Sequence, residues 1–139
     1  MRIGLILAMG LVLLTAIAAC KDESAAGRPA LDNSRQFAMV FDIPCKQVQE
    51  QVRATMRSDP GLGLATERDA PLGVALVTPM HQGDQRRWQA TVLIQCADPQ
   101  SARLETRVKA ERRVNGAWQP AGDTPGLEKK ILDKVLPKP

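Results

Sequence analysis

Two Arg-Arg pairs carry the clearest polar chemistry of this chain. Arg86-Arg87 directly precede Trp88, and Arg112-Arg113 stand just ahead of an Asn115-Gly116 turn with Trp118 beyond it. A guanidinium offers a planar fork of donors that fits phosphate or carboxylate in bidentate fashion. Tryptophan is enriched where surfaces are buried in complexes. Arg86, Arg87, Arg112, Arg113 and Trp118 are therefore candidates for an anion or partner patch. The competing reading is a solvated sheet end, with Glu111 and Asp84 neutralising part of the charge and Trp88 in the core. Other chemistry is thin. His81 is the only histidine, and beside the Gln82–Gln85 turn a solvated imidazole is expected rather than a general base. Ser24, Ser34, Ser58 and Ser101 fall in a polar N-terminal segment or in turns, none in a Gly-x-Ser-x-Gly setting. No phosphate loop, dinucleotide fingerprint or metal-ligand cluster is present in the sequence. The expectation is a non-enzymatic chain without cofactor or metal.

The cysteines say more about place than about activity. Cys20 closes the run Ile17-Ala18-Ala19-Cys20. Arg2 supplies a positive start, and Ile3 to Leu14 is apolar but falls short of the ~20 residues that cross a bilayer. This pattern resembles the lipobox signal of bacterial lipoproteins, over residues 1–20 only. The resemblance implies diacylglyceryl transfer to the Cys20 thiol, cleavage between Ala19 and Cys20, and acylation (palmitate or a similar chain) of the new amino group. Two or three acyl chains make a lasting membrane anchor where one would hold only marginally. Lys21 after the lipid-bearing cysteine implies an outer-membrane address facing the periplasm, although some bacteria also read Asp22, which pulls the other way. Once Cys20 is committed to lipid, Cys45 and Cys96 are left as a pair in an oxidising compartment, and a disulfide is expected. It would close a loop of roughly 50 residues and stabilise by ~4 kcal/mol in the chain-entropy model. Their spacing and the lone histidine disfavour a metal site, and without Cys-x-x-Cys a redox role is disfavoured too.

Length and composition bound the rest. The 139 residues divide into a signal peptide (1–19), a lipidated Cys20 with a flexible tether (20–35), and one folded domain (36–139). The formal charge of +4 falls by one when Arg2 leaves with the signal. That balance suits contact with an anionic surface without demanding it. There is no run of lysine and arginine of the nucleic-acid-binding kind, so no nucleic-acid partner is expected.

The elements that must position the arginines are legible as periodicities. Phe37, Met39, Phe41 and Ile43 can face one way as a first strand. Pro44 opens a helix whose stripe is Cys45, Val48, Val52 and Met56, stopped by Asp59-Pro60-Gly61. Short strands over Leu62–Arg68 and Val74–Met80 flank the turn residues 69–73. Trp88, Ala90, Val92, Ile94 and Cys96 alternate with polar neighbours, as do Ala102, Leu104, Thr106, Val108 and Ala110. Pairing Cys96 with Ala102 sets Arg86 opposite Arg112, Arg87 opposite Glu111 and Leu93 opposite Glu105. The Asn115-Gly116 hairpin then brings Trp118 beside Arg113. A last helix starts near Thr124-Pro125 and carries Leu127, Ile131 and Val135.

The expected fold class is α+β, in the order β-α-β-β-β-β-α. An antiparallel sheet of four to six strands has two helices covering one face. This order is similar to the helix-grip arrangement, which also occurs in an accessory lipoprotein of the outer-membrane β-barrel assembly machinery. The likeness is one of element order and carries little functional weight. The expected function is a membrane-anchored, non-enzymatic envelope lipoprotein, a structural or assembly accessory that binds an envelope protein or an anionic envelope component. The alternative is a periplasmic ligand-binding module for a lipid or other small molecule, and a secreted-enzyme inhibitor is a weaker third. A filled core separates the first from the second, which needs a pocket between helix and sheet.

Overall fold

The two long alternating runs fold as one hairpin, and the rest of the chain packs around it. The computed structural model describes residues 28–29, 38–122 and 124–138. Its elements are β1 (Arg28–Pro29), β2 (Ala38–Phe41), α1 (Cys45–Ser58), β3 (Thr66–Ala70), β4 (Gly73–Val77), β5 (His81–Gln82), β6 (Arg86–Asp98), β7 (Ser101–Val114), β8 (Ala117–Pro120) and α2 (Thr124–Val135). The signal-like run, Cys20, Phe37 and all of the expected tether except Arg28–Pro29 lie outside the described residues.

Every strand pair is antiparallel, in the order β1-β2-β7-β6-β4-β3, with β5 added on β6 and β8 on β7. The α+β class is as expected. The strand count of eight exceeds the expected four to six because β6 and β7 outrun their neighbours. Each takes two short partners in series along one edge: β4 and β5 share β6, and β2 and β8 share β7. β1 and β3 are the edges, so the sheet is open. β3 (Thr-Glu-Arg-Asp-Ala) keeps a charged edge, which discourages pairing with another chain. Among the described residues no helix is long and apolar enough to cross a membrane.

Two departures from the periodicity reading concern where strands begin. Arg28–Pro29 joins the sheet as β1, although these residues read as tether. Proline is tolerated there because an edge strand needs no donor on its outer side. β1 runs antiparallel to β2, so it enters the sheet from the end where β6 turns into β7. The other departure is that β3 starts at Thr66 rather than Leu62. Asp59 holds the segment before it in a turn, its carboxylate accepting the Gly61 N–H at 2.7 Å and its carbonyl accepting the N–H groups of Leu62 and Gly63. Gly63, at φ 72°, supplies the left-handed residue that this turn requires.

The core lies between the sheet and both helices. Val48, Val52 and Met56 of α1 and Val135 of α2 have no exposed surface, nor do Leu76, Ala90, Val92, Ile94 and Leu104 of the strands. Pro44 is the N-cap of α1 and not its first helical residue, so the helix starts one place later than expected, with the Pro44 carbonyl accepting the Val48 N–H. Arg53 of α1 grips Glu67 of β3 through two hydrogen bonds at 2.6 and 2.9 Å, and Lys134 of α2 reaches Asp59 at 3.3 Å. Cys45 and Cys96 form the expected disulfide, with Cα atoms 5.7 Å apart, joining the first turn of α1 to β6. The register of β6 on β7 is the expected one from Arg86↔Arg112 to Gln95↔Arg103. It slips between Gln95 and Asp98, so Cys96 sits at a bulge instead of opposite Ala102. At Gly73 an added Cβ would lie 1.8 Å from the Ile94 carbonyl oxygen, so β4 can approach β6 there only without a side chain.

Candidate anion site at the end of the sheet

Strand alternation decides which of the four arginines can act together. All four sit at the end of the sheet remote from the disulfide, as the register requires. Along β6, Arg86 shares the helix-covered face with Trp88, Ala90 and Val92, and Arg112 is its cross-strand partner on β7. Arg87 and Arg113 point to the opposite face. The patch read as one constellation is thus two, back to back.

On the face away from the helices the charge of Arg87 is already met. Arg87 Nε donates to Glu111 at 2.6 Å, and its guanidinium lies 4.6 Å over the Trp118 ring. Trp118 in turn pairs with Arg113 across the β7–β8 hairpin, whose Asn115 and Gly116 take φ of 50° and 79°. Glu111 thus takes the neutralising role expected of it toward Arg87, while Arg113 has no ion-pair partner among the described residues.

On the helix-covered face the arrangement is different. Arg86 and Arg112 are direct cross-strand neighbours of like charge, a pairing that costs stability in a sheet. Two open clefts meet at Arg86. One, of about 400 Å³, is lined by Arg86, Trp88, Gly126, Leu127 and Lys130. The other, of about 470 Å³, is lined by Arg86, Arg112, Ala121 and Gly122. Neither Arg112 nor Lys130 has an ion-pair partner among the described residues, whereas Lys129 binds Asp133 and Lys134 binds Asp59. The segment before α2 is held beside the sheet by the Ala121 N–H on the Ala110 carbonyl at 2.9 Å. Thr106 Oγ1 donates to the Glu128 carbonyl, and the Glu128 carboxylate accepts the Val108 N–H, fixing the first turns of α2 on β7. Lys130, Leu127 and Gly126 are absent from the sequence-derived patch because α2 lies far from β6 along the chain. The one signal available was Leu127 on the apolar stripe of α2, which carries Lys130 one turn later to the same end.

His81 is not the solvated surface group expected. It is half-buried, stacked on Trp88 with ring centroids 4.2 Å apart and planes at 18°. Its Nε2 is 2.7 Å from the Leu62 carbonyl oxygen. A carbonyl can only accept, so Nε2 carries the proton and the imidazole ties the loop after α1 to β5 and β6. In this way His81 fixes the ring that lines the cleft.

A second charged group is buried in the outer face of the sheet. Glu105 is 2 % exposed, between Arg103 and Arg107, with Arg107 Nε at 2.6 Å from one carboxylate oxygen and Arg103 Nη1 on the other. Burial works to raise its pKa, but the hydrogen bonds from Arg107 and Arg103 outweigh it, and the carboxyl is held below its ordinary value. The ladder of Gln95, Leu93 and Thr91 against Arg103, Glu105 and Arg107 has the expected register. It is not a uniformly solvated face, since Ala38, Ala75 and Val77 are buried there beside Glu105.

Among the described residues no group of three or more His, Cys, Asp and Glu side chains could hold a metal ion. No family model matches the chain, and no curated protein matches it.

Proposed function

We propose that the chain is a lipid-anchored, non-enzymatic protein of the bacterial cell envelope, its folded domain serving as a structural or assembly accessory that binds an envelope partner. The anchor rests on the lipobox-like run ending at Cys20 and on Lys21 after it. The observation that carries the binding role is the filled core. Side chains from both helices meet those of the sheet without exposed surface, so among the described residues the core holds no interior chamber of the kind a buried-ligand carrier uses. Recognition is then a matter of the surface, and Arg112 and Lys130, which have no ion-pair partner among the described residues, line the two clefts that meet at Arg86.

The test has two parts. Mass analysis of the chain purified from bacterial membranes is expected to find a mature protein starting at Cys20 and carrying acyl chains, with Cys20→Ala released from the membrane fraction. An unacylated chain, or unchanged fractionation of Cys20→Ala, would refute the anchor. Pull-down of the tagged chain from detergent-solubilised membranes is expected to yield an envelope partner in near-stoichiometric amount, lost on Arg86→Glu with Arg112→Glu. Recovery of a tightly held small molecule in its place would favour the ligand-carrying alternative.

A further inference from the structure

The face of the sheet away from the helices carries charge of mostly one sign. Both helices pack on the other side, so among the described residues no helix lies over it. From Gln95 back to Arg86, and across the strands paired there, the outward register positions hold Arg68, Arg87, Arg103, Arg107, Lys109 and Arg113 against Glu105 and Glu111. Both acids are already engaged, Glu105 by Arg103 and Arg107 and Glu111 by Arg87. Arg68, Lys109 and Arg113 are exposed and have no ion-pair partner among the described residues. Arg107, although bonded to Glu105, keeps 49 % of its side chain exposed. Cations spread over a sheet face suit an extended anionic surface better than a single ion. The same side has one protruding apolar residue. Leu72, in the β3–β4 turn, is 66 % exposed and lines an open cleft of about 260 Å³ with Val40, Gln95 and Arg103. Its φ of 62° is costly for a branched side chain, and strained positions of this kind collect at functional sites. The turn lies at the end of the sheet where β1 enters, since the Leu72 carbonyl accepts the Cys96 N–H at 2.7 Å. Arg28 of β1 follows Cys20 by eight residues, a length that spans roughly 28 Å at most. If Cys20 is lipidated, as proposed, the domain is held that near the membrane, where even weak contacts are occupied.

We infer that this open face lies on an anionic lipid surface, that of the membrane holding the anchor, with Arg68, Arg107, Lys109 and Arg113 over the lipid phosphates and Leu72 at headgroup level. Each basic side chain near such a surface adds to the attraction, and an apolar residue at the interface adds burial of its own. The inference rests on the proposed anchor only for what brings the domain to the membrane. It goes further by giving the domain an orientation. The helix layer, with Lys130, then turns away from the lipid and stays open to an envelope partner.

Full-length chain purified from membranes is reconstituted into vesicles of phosphatidylcholine, alone or mixed with phosphatidylglycerol, and treated with a neutral amine-acetylating reagent. Lys109 is the lysine of the open face, and Lys130 on α2 serves as the reference. Phosphatidylglycerol is expected to slow acetylation of Lys109 about threefold or more relative to Lys130. Salt at about 1 M, where the screening length falls to ~3 Å, is expected to remove that protection. Arg68→Glu with Arg113→Glu is expected to remove it too, since both side chains are exposed on the face. Lys46→Glu with Lys138→Glu makes the same change in net charge among exposed residues of the helix layer and is expected to leave the protection in place. An unchanged thermal melt establishes that the charge variants fold. Leu72→Gly, which relieves the positive φ, is expected to lower the protection about twofold. The inference is overturned if Lys109 reacts equally fast in both kinds of vesicle, if Lys130 is protected as strongly, or if the protection survives 1 M salt. It is overturned as well if neither Arg68→Glu with Arg113→Glu nor Leu72→Gly weakens the protection. Protection of Lys109 in whole cell membranes but in neither vesicle would assign the face to an acidic protein and overturn the lipid assignment. The mass of the same preparation reports Cys20 acylation separately. Acylated chain with Lys109 unprotected ends the face assignment and leaves the anchor, while protected Lys109 in unacylated chain does the reverse.

Discussion

Glu105 shows how one buried carboxylate can make the fold acid-sensitive. Its pKa is lowered in the folded protein, so its contribution to stability is fully present above the unfolded value, near ~4.3. That contribution is lost as pH falls through the lower folded value. Melting temperature is expected to hold through neutral pH and drop below about pH 4. Glu105→Gln should cost about 1–3 kcal/mol at pH 7, since the neutral amide offers one acceptor oxygen and no charge where Arg103 and Arg107 each bonded a carboxylate oxygen. It should also flatten the acid limb relative to wild type; parallel acid limbs for the two proteins would show that other carboxylates dominate. Leu72 is the opposite case, a residue whose conformation opposes stability. It sits at φ 62° between Pro71 and Gly73, and it is 66 % exposed. The left-handed region costs a branched side chain about 1–2 kcal/mol, partly offset by the chain entropy that glycine would lose. Leu72→Gly is expected to raise stability by about 0.5–1 kcal/mol, read from the denaturant midpoint. The glycine that might have served this turn stands one place later, where the Ile94 carbonyl tolerates no Cβ.

Among the elements, the central hairpin was readable because two independent signals agreed. Alternation on both sides of Asp98-Pro99 set which face each residue takes, and the Asn115-Gly116 turn set where the second strand returns. Arg86 opposite Arg112 and Trp118 opposite Arg113 followed from those alone. The bulge after Gln95 was not readable, because a one-residue slip changes no local pattern. β1 was not readable either, since pairing of two residues in a polar segment is decided by the strand it meets. The site was half legible for the same reason. The arginines were found, but their division between two faces needed the parity of each strand to be followed to its end, and Lys130 needed the packing of α2. The disulfide was accessible to counting, and it has an energetic consequence. It joins α1 to β6 across a sequence separation of 51 residues. Its reduction, or Cys45→Ala with Cys96→Ala, is expected to lower stability by up to ~4 kcal/mol without changing the secondary structure seen by circular dichroism. A loss well below 1 kcal/mol would mean that core packing alone fixes α1 on the sheet.

Taken together, the elements give the domain two unlike ends. The end with the β6–β7 turn carries the disulfide and receives β1, and the other carries Arg86, Arg112 and the start of α2. The stretch from Gln95 back to Arg86 separates them by roughly 30 Å at the usual strand rise. That polarity was beyond the sequence, because it depends on the direction in which β1 joins β2. If the chain is anchored at its N-terminus, as proposed, that polarity has a mechanical meaning. A load between the membrane and a ligand at the far cleft would run along the strands, not across them. The β6–β7 ladder would then be strained in shear, with its hydrogen bonds resisting together, while two-residue β1 would peel away first as a short extensible leader. Pulling from the N-terminus against a handle on Lys130 is expected to give an early low-force release followed by a single, much stronger rupture. Pulling from residues on adjacent strands at one end should unzip the same sheet at a fraction of that force.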